Sequence, residues 1–165
     1  MALAISVGLL ATSLEAPSRA VSAKVKGKFP DLKILSVAAT PAPFFLNEHP
    51  LTLTITVALP KSVPGDALLD VTTLITSPSK TSFRLLTNRQ AVANNAAAGA
   101  DGAKDGPRQV QVTQTWDGTD HTRRIVADGL YDYLVQAKLL VPGKNGPLMR
   151  EASLKKRGKF EVRTR

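Results

Sequence analysis

A chain of 165 residues accommodates one domain with a sizeable core, with or without an extension, and hardly two. With 43% hydrophobic and 21% charged residues it is too apolar for a disordered chain, and without cysteine it holds neither a disulfide nor a thiolate metal site. Its net charge of +9 attracts acidic protein surfaces, anionic lipid or nucleic acid without choosing among them.

Residues 1–23, MALAISVGLLATSLEAPSRAVSA, form an apolar segment with no charge from Met1 to Thr12. The run has the length of a signal-peptide core, and Val21-Ser22-Ala23 suits a cleavage site before Lys24, but no basic residues precede it. It is too short to span a bilayer comfortably. Two alternatives follow, a removed leader or a retained extension buried in a partner or in the domain itself. The domain proper is expected over 24–165.

Leu51 to Leu59, LTLTITVAL, alternates with period two, its large apolar residues on one face and its threonines on the other, between Pro50 and Pro60. This pattern predicts a half-buried strand. Less regular strands are expected over Val21–Lys28, Leu32–Ala38, Ala67–Thr76 and Thr81–Thr87, with turns at Gly65 and Ser77-Pro78-Ser79. Asn88 to Arg108 is rich in Ala, Gly, Asn and Asp and reads as a loop of roughly 20 residues, a length that marks either a solvated excursion or a binding loop. Strands resume over Gln109–Trp116, Leu130–Val141 and Leu148–Val162. No long amphipathic helix and no internal repeat is evident. The expected fold is an all-β, Ig-like antiparallel β-sandwich of about seven strands carrying an N-terminal apolar extension.

Within WDGTDHTRRIVADGLYDYLVQA, Tyr131, Tyr133, Val135, Ala137 and Leu139 share the core-facing side of a strand. Trp116 ends the preceding strand, where its ring can cap the core and its indole N–H can find a carbonyl. Asp117-Gly118 and Asp128-Gly129 are expected to form Asx-type turns at the two ends of an arch whose middle, His121 to Ile125, is free to vary. This string resembles the immunoglobulin-like domain of flagellar hook-capping proteins and of many secreted bacterial proteins, whose signature is W-D-G-x-D, a short arch, then V-x-x-G-x-Y-x-Y. Trp116, Asp117, Gly118, Asp120, Val126, Gly129, Tyr131 and Tyr133 match it. The resemblance covers about Pro43 to Leu140. It departs at Arg123, where the family's arch carries glycine, and in the Ala-rich insertion. It implies a fold and a structural role for these residues, not a reaction.

Catalysis finds little support. His121 with Asp117 and Asp120 has the residue types of a metal or acid–base site, but turn chemistry uses both aspartates without a metal. Asp101 and Asp105 are calcium-type ligands without the remaining acids of an EF-hand loop. His49 precedes a strand, and no hydrolase, nucleotide or zinc motif occurs. No catalytic, cofactor or metal residue is expected. The C-terminal run places Lys155, Lys156, Arg157, Lys159, Arg163 and Arg165 together, either as a charged edge strand that resists aggregation or as a patch for an acidic protein or anionic membrane. Aromatics too few to stack bases weigh against nucleic acid. The expected function is a non-enzymatic structural or accessory subunit of a bacterial envelope-associated or extracellular assembly, in the periplasm, at a membrane or outside the cell. Partners with acidic surfaces would bind its basic surface and sheet edges, for instance by strand addition at Val21–Lys28. The alternative is a secreted inhibitor or regulator of an enzyme, working through the 88–108 loop.

Overall fold

The computed structural model describes residues 30–92 and 108–164. The expected strand Val21–Lys28, the apolar segment before it, most of the 88–108 loop and Arg165 lie outside the described residues.

Alternation fixes which way each strand turns. In β3 (Leu51–Ala58) Leu51, Leu53, Ile55 and Val57 are fully buried while the threonines between them stay partly exposed. β6 (Gln109–Trp116) sends Val110, Val112, Gln114 and Trp116 inward and alternate glutamines and threonines outward. The two pair antiparallel so that Ile55 meets Val112 and Leu51 meets Trp116. β1 (Lys33–Thr40) completes this sheet in the order β1-β3-β6.

The second sheet runs β2-β9-β7-β4-β5, from Phe44–Phe45, Lys156–Arg163, Gly129–Val141, Leu68–Thr76 and Phe83–Ala91 respectively. Leu69, Val71 and Ile75 of β4 and Tyr131, Tyr133, Val135, Ala137 and Leu139 of β7 form its inner face. Two layers thus enclose one apolar core. The chain passes from β3 to the other sheet for β4 and β5, back for β6, and across again for β7 and β9. The first strand divides between the layers: β1 runs antiparallel to β3, and after Pro41 and Pro43, both preceded by cis peptide bonds, β2 pairs parallel to β9. This strand order is that of an Ig-like β-sandwich.

Two boundaries and the strand count differ from expectation. β5 continues through Asn88 to Ala91 because its register with β4 holds to Leu68, so the loop starts later than the change in composition suggests. Leu148 to Val162 is two strands, β8 (Leu148–Ala152) and β9, laid end to end along β7. Buried Ser153 divides them, its Oγ accepting from the Ala137 N–H at 3.0 Å in place of a ladder bond. The short β2 and β8 raise the strand count among the described residues to nine, above the roughly seven of an Ig constant-type sandwich.

Trp116 is 2% exposed at one end of this core, so Trp116→Ala is expected to lower stability by about 3 kcal/mol. Gly158 lies directly under the Tyr133 hydroxyl and ring, where a Cβ would overlap them, and Gly158→Ala should cost about 1–3 kcal/mol through overpacking. Urea melts followed by Trp116 fluorescence for the glycine variant, and by circular dichroism for both, check these values; wild-type midpoints would refute the packing described.

Candidate partner-binding surface

The Trp116 ring meets Phe44 of β2 at 5.6 Å between centroids, Tyr131 of β7 at 5.8 Å and Phe160 of β9 at 5.5 Å. Its Nε1–H donates to the Thr119 carbonyl at 2.7 Å, satisfying the one polar atom the ring carries inward. One residue thereby joins both sheets and the arch that follows. Asp117 makes the expected Asx turn, accepting from the Thr119 N–H and hydroxyl at 3.0 and 2.7 Å. Gly118 has φ +80°, and a Cβ there would come within 2.5 Å of the Leu46 methyl, so both conformation and packing require glycine.

Asp120 organises the rest. One of its oxygens accepts from the Thr122 N–H and hydroxyl and from the Arg124 N–H at 2.8, 2.7 and 3.0 Å. Val126 is buried and its N–H returns to the Gly118 carbonyl at 3.0 Å. The backbone of the arch is therefore held at Thr122, Arg124 and Val126. His121 donates its backbone N–H to the Phe83 carbonyl and stacks on the Phe83 ring at 4.2 Å, docking the arch against the start of β5. Arg84 reinforces this by donating to the Asp120 carbonyl at 3.1 Å.

At the far end, Tyr131 donates its hydroxyl to the Ala127 carbonyl four residues upstream at 2.9 Å, a tyrosine corner. Tyr133 lies on the same face, its hydroxyl and ring over Gly158. Gly129, at φ +152°, leaves room for Pro78, whose Cγ would stand 3.0 Å from an added Cβ. Asp128 does not form the expected local turn. It receives the N–H and hydroxyl of Thr164, fastening the end of β9 to the start of β7.

These bonds hold the carboxyls of Asp117, Asp120 and Asp128 below the ordinary range, chiefly through the hydroxyls of Thr119, Thr122 and Thr164. A lowered folded value means that the stabilisation is present above the unfolded carboxyl range and is lost as pH falls through the folded values. Burial raises Tyr131 and Tyr133. His121, Asp117 and Asp120 are thus committed to turns and a ring stack, and no cluster of three metal-ligating side chains occurs among the described residues. Asp101 and Asp105 lie outside them. His49 is exposed before β3.

The C-terminal basic residues do not form one face. Outward Arg157, Lys159 and Arg163 alternate with inward-turned Lys156, whose Nζ donates to the Leu35 carbonyl. Lys159 stands 3.7 Å from Asp132, and Arg163 pairs with Glu161 at 2.9 Å. Lys155 is exposed beside a groove of about 470 Å³ lined by Leu32, Ile34 and Leu154. β9 is no open edge at its C-terminal end, since β2 pairs with Val162 and Arg163. Sequence reading missed Arg84, Phe83 and the stack on His121, because nothing in a periodic pattern says that an arch 36 residues later will land on a strand end.

No protein-family model and no curated protein matches the chain. Among solved structures it is similar to AggA, the major subunit of aggregative adherence fimbriae type I of Escherichia coli, at 10% identity over 84% of this chain and 98% of that one, with a TM-score of 0.37. It is also similar to the alkylpurine DNA glycosylase AlkC of Pseudomonas fluorescens, solved bound to DNA containing an abasic site analog, at 18% identity and a TM-score of 0.39. That match covers 83% of this chain and 32% of the glycosylase. Likenesses this distant bear on neither activity nor partner.

Arg123 sits at φ +65°. A non-glycine side chain is strained there, so Arg123→Gly should leave the arch intact and raise stability by a few tenths to about 1 kcal/mol, despite the greater freedom of glycine in the unfolded chain. Thermal melts at neutral pH measure the change; a clear loss would mean that the Arg123 side chain holds the arch.

Proposed function

We propose that this chain is a non-enzymatic Ig-like module serving as a structural or accessory subunit of a larger bacterial assembly, outside the cell or at its envelope. The observation that carries the reading is how the acids are used. Asp70, Asp132 and Glu161 are in ion pairs with Arg89, Lys159 and Arg163. Asp117, Asp120 and Asp128 are bound within the arch and to Thr164, and Glu151 accepts from the Leu32 N–H at 2.9 Å. The excess of positive charge therefore faces outward on side chains such as Lys155, Arg157, Arg123 and Arg124, all exposed. Such a surface attracts a partner rich in carboxylates and, less selectively, an anionic membrane. The resemblance of the arch to the Ig-like domain of hook-capping and secreted bacterial proteins favours the same setting. Regulation of an enzyme through the 88–108 loop is the weaker reading, since residues 88–91 belong to β5.

Native mass spectrometry of the protein drawn from its own cells at low ionic strength should show it bound to an acidic protein. The combined Lys155→Glu and Arg157→Glu substitutions should release that partner while shifting the melting midpoint little, as exposed charges contribute within about 0.5 kcal/mol. A protein that is monomeric under these conditions, or a complex indifferent to the charge reversal, would contradict the reading.

A further inference from the structure

A sandwich has sheet edges, and open edges are ordinarily blunted by bulges, charge, shortness or cover. Four of the edges among the described residues are treated in this way. β1 has a register break between Ile34 and Ser36, and Lys156 reaches the Leu35 carbonyl there. β6 is bridged by Asn88, on the half-buried inner side of β5, whose Nδ2 crosses the layers to donate to the Thr113 carbonyl at 3.1 Å. β8 is five residues long and pairs through a bulge at Leu139/Leu140. β9 is covered by β2 at one end and bears Arg157 and Lys159 at the other.

β5 is different. Its nine residues pair with β4 in unbroken register, and no strand among the described residues pairs with its other side. The Ser82 carbonyl and the Val92 N–H face β4, accepting from Ser77 and donating to Ala67, whereas the Phe83 carbonyl points the other way to His121. By alternation the N–H and C=O groups of Leu85, Thr87 and Arg89 face outward. Both arginines that could guard the edge are folded back, Arg84 onto the Asp120 carbonyl and Arg89 onto Asp70. The window has ends: the docked arch at Phe83, and Arg108, whose Nη2 donates to the Val92 carbonyl at 2.6 Å. On the outer face Leu85, 55% exposed, continues a cross-strand row through Leu74 to Leu134.

We infer that β5 accepts an extended segment of another protein as an added strand, its centre apolar and its ends acidic. The backbone groups of Leu85, Thr87 and Arg89 supply the pairing. A β-branched or leucine side chain beside Leu85 extends the apolar row, and carboxylates meet Arg123 and Arg124 of the arch at one end and Arg108 at the other. A second copy of this chain is disfavoured as occupant, because at a net charge of +9 it would bring the same basic residues to both ends. The inference rests on the module reading above and names the edge and the partner chemistry.

The test uses the full chain labelled with 15N and a synthetic peptide, Glu-Glu-Val-Thr-Val-Thr-Val-Glu-Glu, capped at both termini. Titration should shift the amides of Leu85, Thr87 and Arg89. The same peptide N-methylated at alternate residues, or with lysine for each glutamate, should bind about tenfold or more weakly, as expected for losing about two backbone hydrogen bonds or the terminal charge pairs. Thr87→Pro, which removes an outward N–H that the β4 ladder does not use, should weaken binding similarly while keeping the wild-type Trp116 fluorescence. Unmoved amides at millimolar peptide, equal binding of the N-methylated peptide, or self-association of the free protein through these amides would overturn it. Because the titration uses no natural partner, its failure removes the edge and leaves the module reading to the co-purification above.

Discussion

The seat of the Trp116 indole is the constraint on which the molecule depends. Its strand belongs to the three-stranded sheet, yet its ring packs on Phe44, Tyr131 and Phe160 from three strands of the other sheet, and its N–H holds the Thr119 carbonyl. A ring of that size buried on all sides contributes several kcal/mol, a large share of the margin by which a domain of this length is stable. Removing it would loosen the contact between the layers and leave the start of the arch without its anchor.

From that anchor the arch is built by the carboxylates of Asp117 and Asp120, which accept from nearby backbone N–H groups and threonine hydroxyls, and by the return of Val126 to Gly118. Its His121 then stacks on Phe83 at the start of β5, and Arg123 and Arg124 follow it as exposed residues. The same packing that closes the core thus continues into an arch docked at the start of β5. Within the core one cross-layer polar bond, from Gln114 Nε2 to the Val71 carbonyl at 2.8 Å, fixes how β6 lies over β4. Thr73 Oγ1 and Gln114 Oε1 are buried nearby without a protein partner among the described residues. Such groups weaken a core, and they are the places where it has not been optimised for stability alone.

How much of this was legible follows from what carries each signal. β3 and β7 alternate cleanly because each has one buried face, so their inward residues could be read directly as Leu51, Leu53, Ile55 and Val57 and as Tyr131 through Leu139. The Trp116 cap and the Asp117 turn were legible because both are local chemistry. Partners distant in sequence were not: Thr164 takes Asp128 away from a local turn, Ser153 interrupts a strand whose composition does not change, and β2 is too short for any period. For the surface, the basic run was visible as residues but not as geometry. Lys156 donates to the Leu35 carbonyl and Arg163 pairs with Glu161, while Arg123 and Arg124, in the middle of the arch, are exposed.

The claim that the Trp116 seat holds both layers and the arch together is tested most directly by native-state hydrogen exchange of its indole N–H, measured against the unfolding free energy from denaturant. If the indole is released only when the sandwich comes apart, the two free energies agree and rise together with added stability. An indole N–H that exchanges through a local opening several kcal/mol below global unfolding would show that the arch moves independently of the core, and would contradict the account.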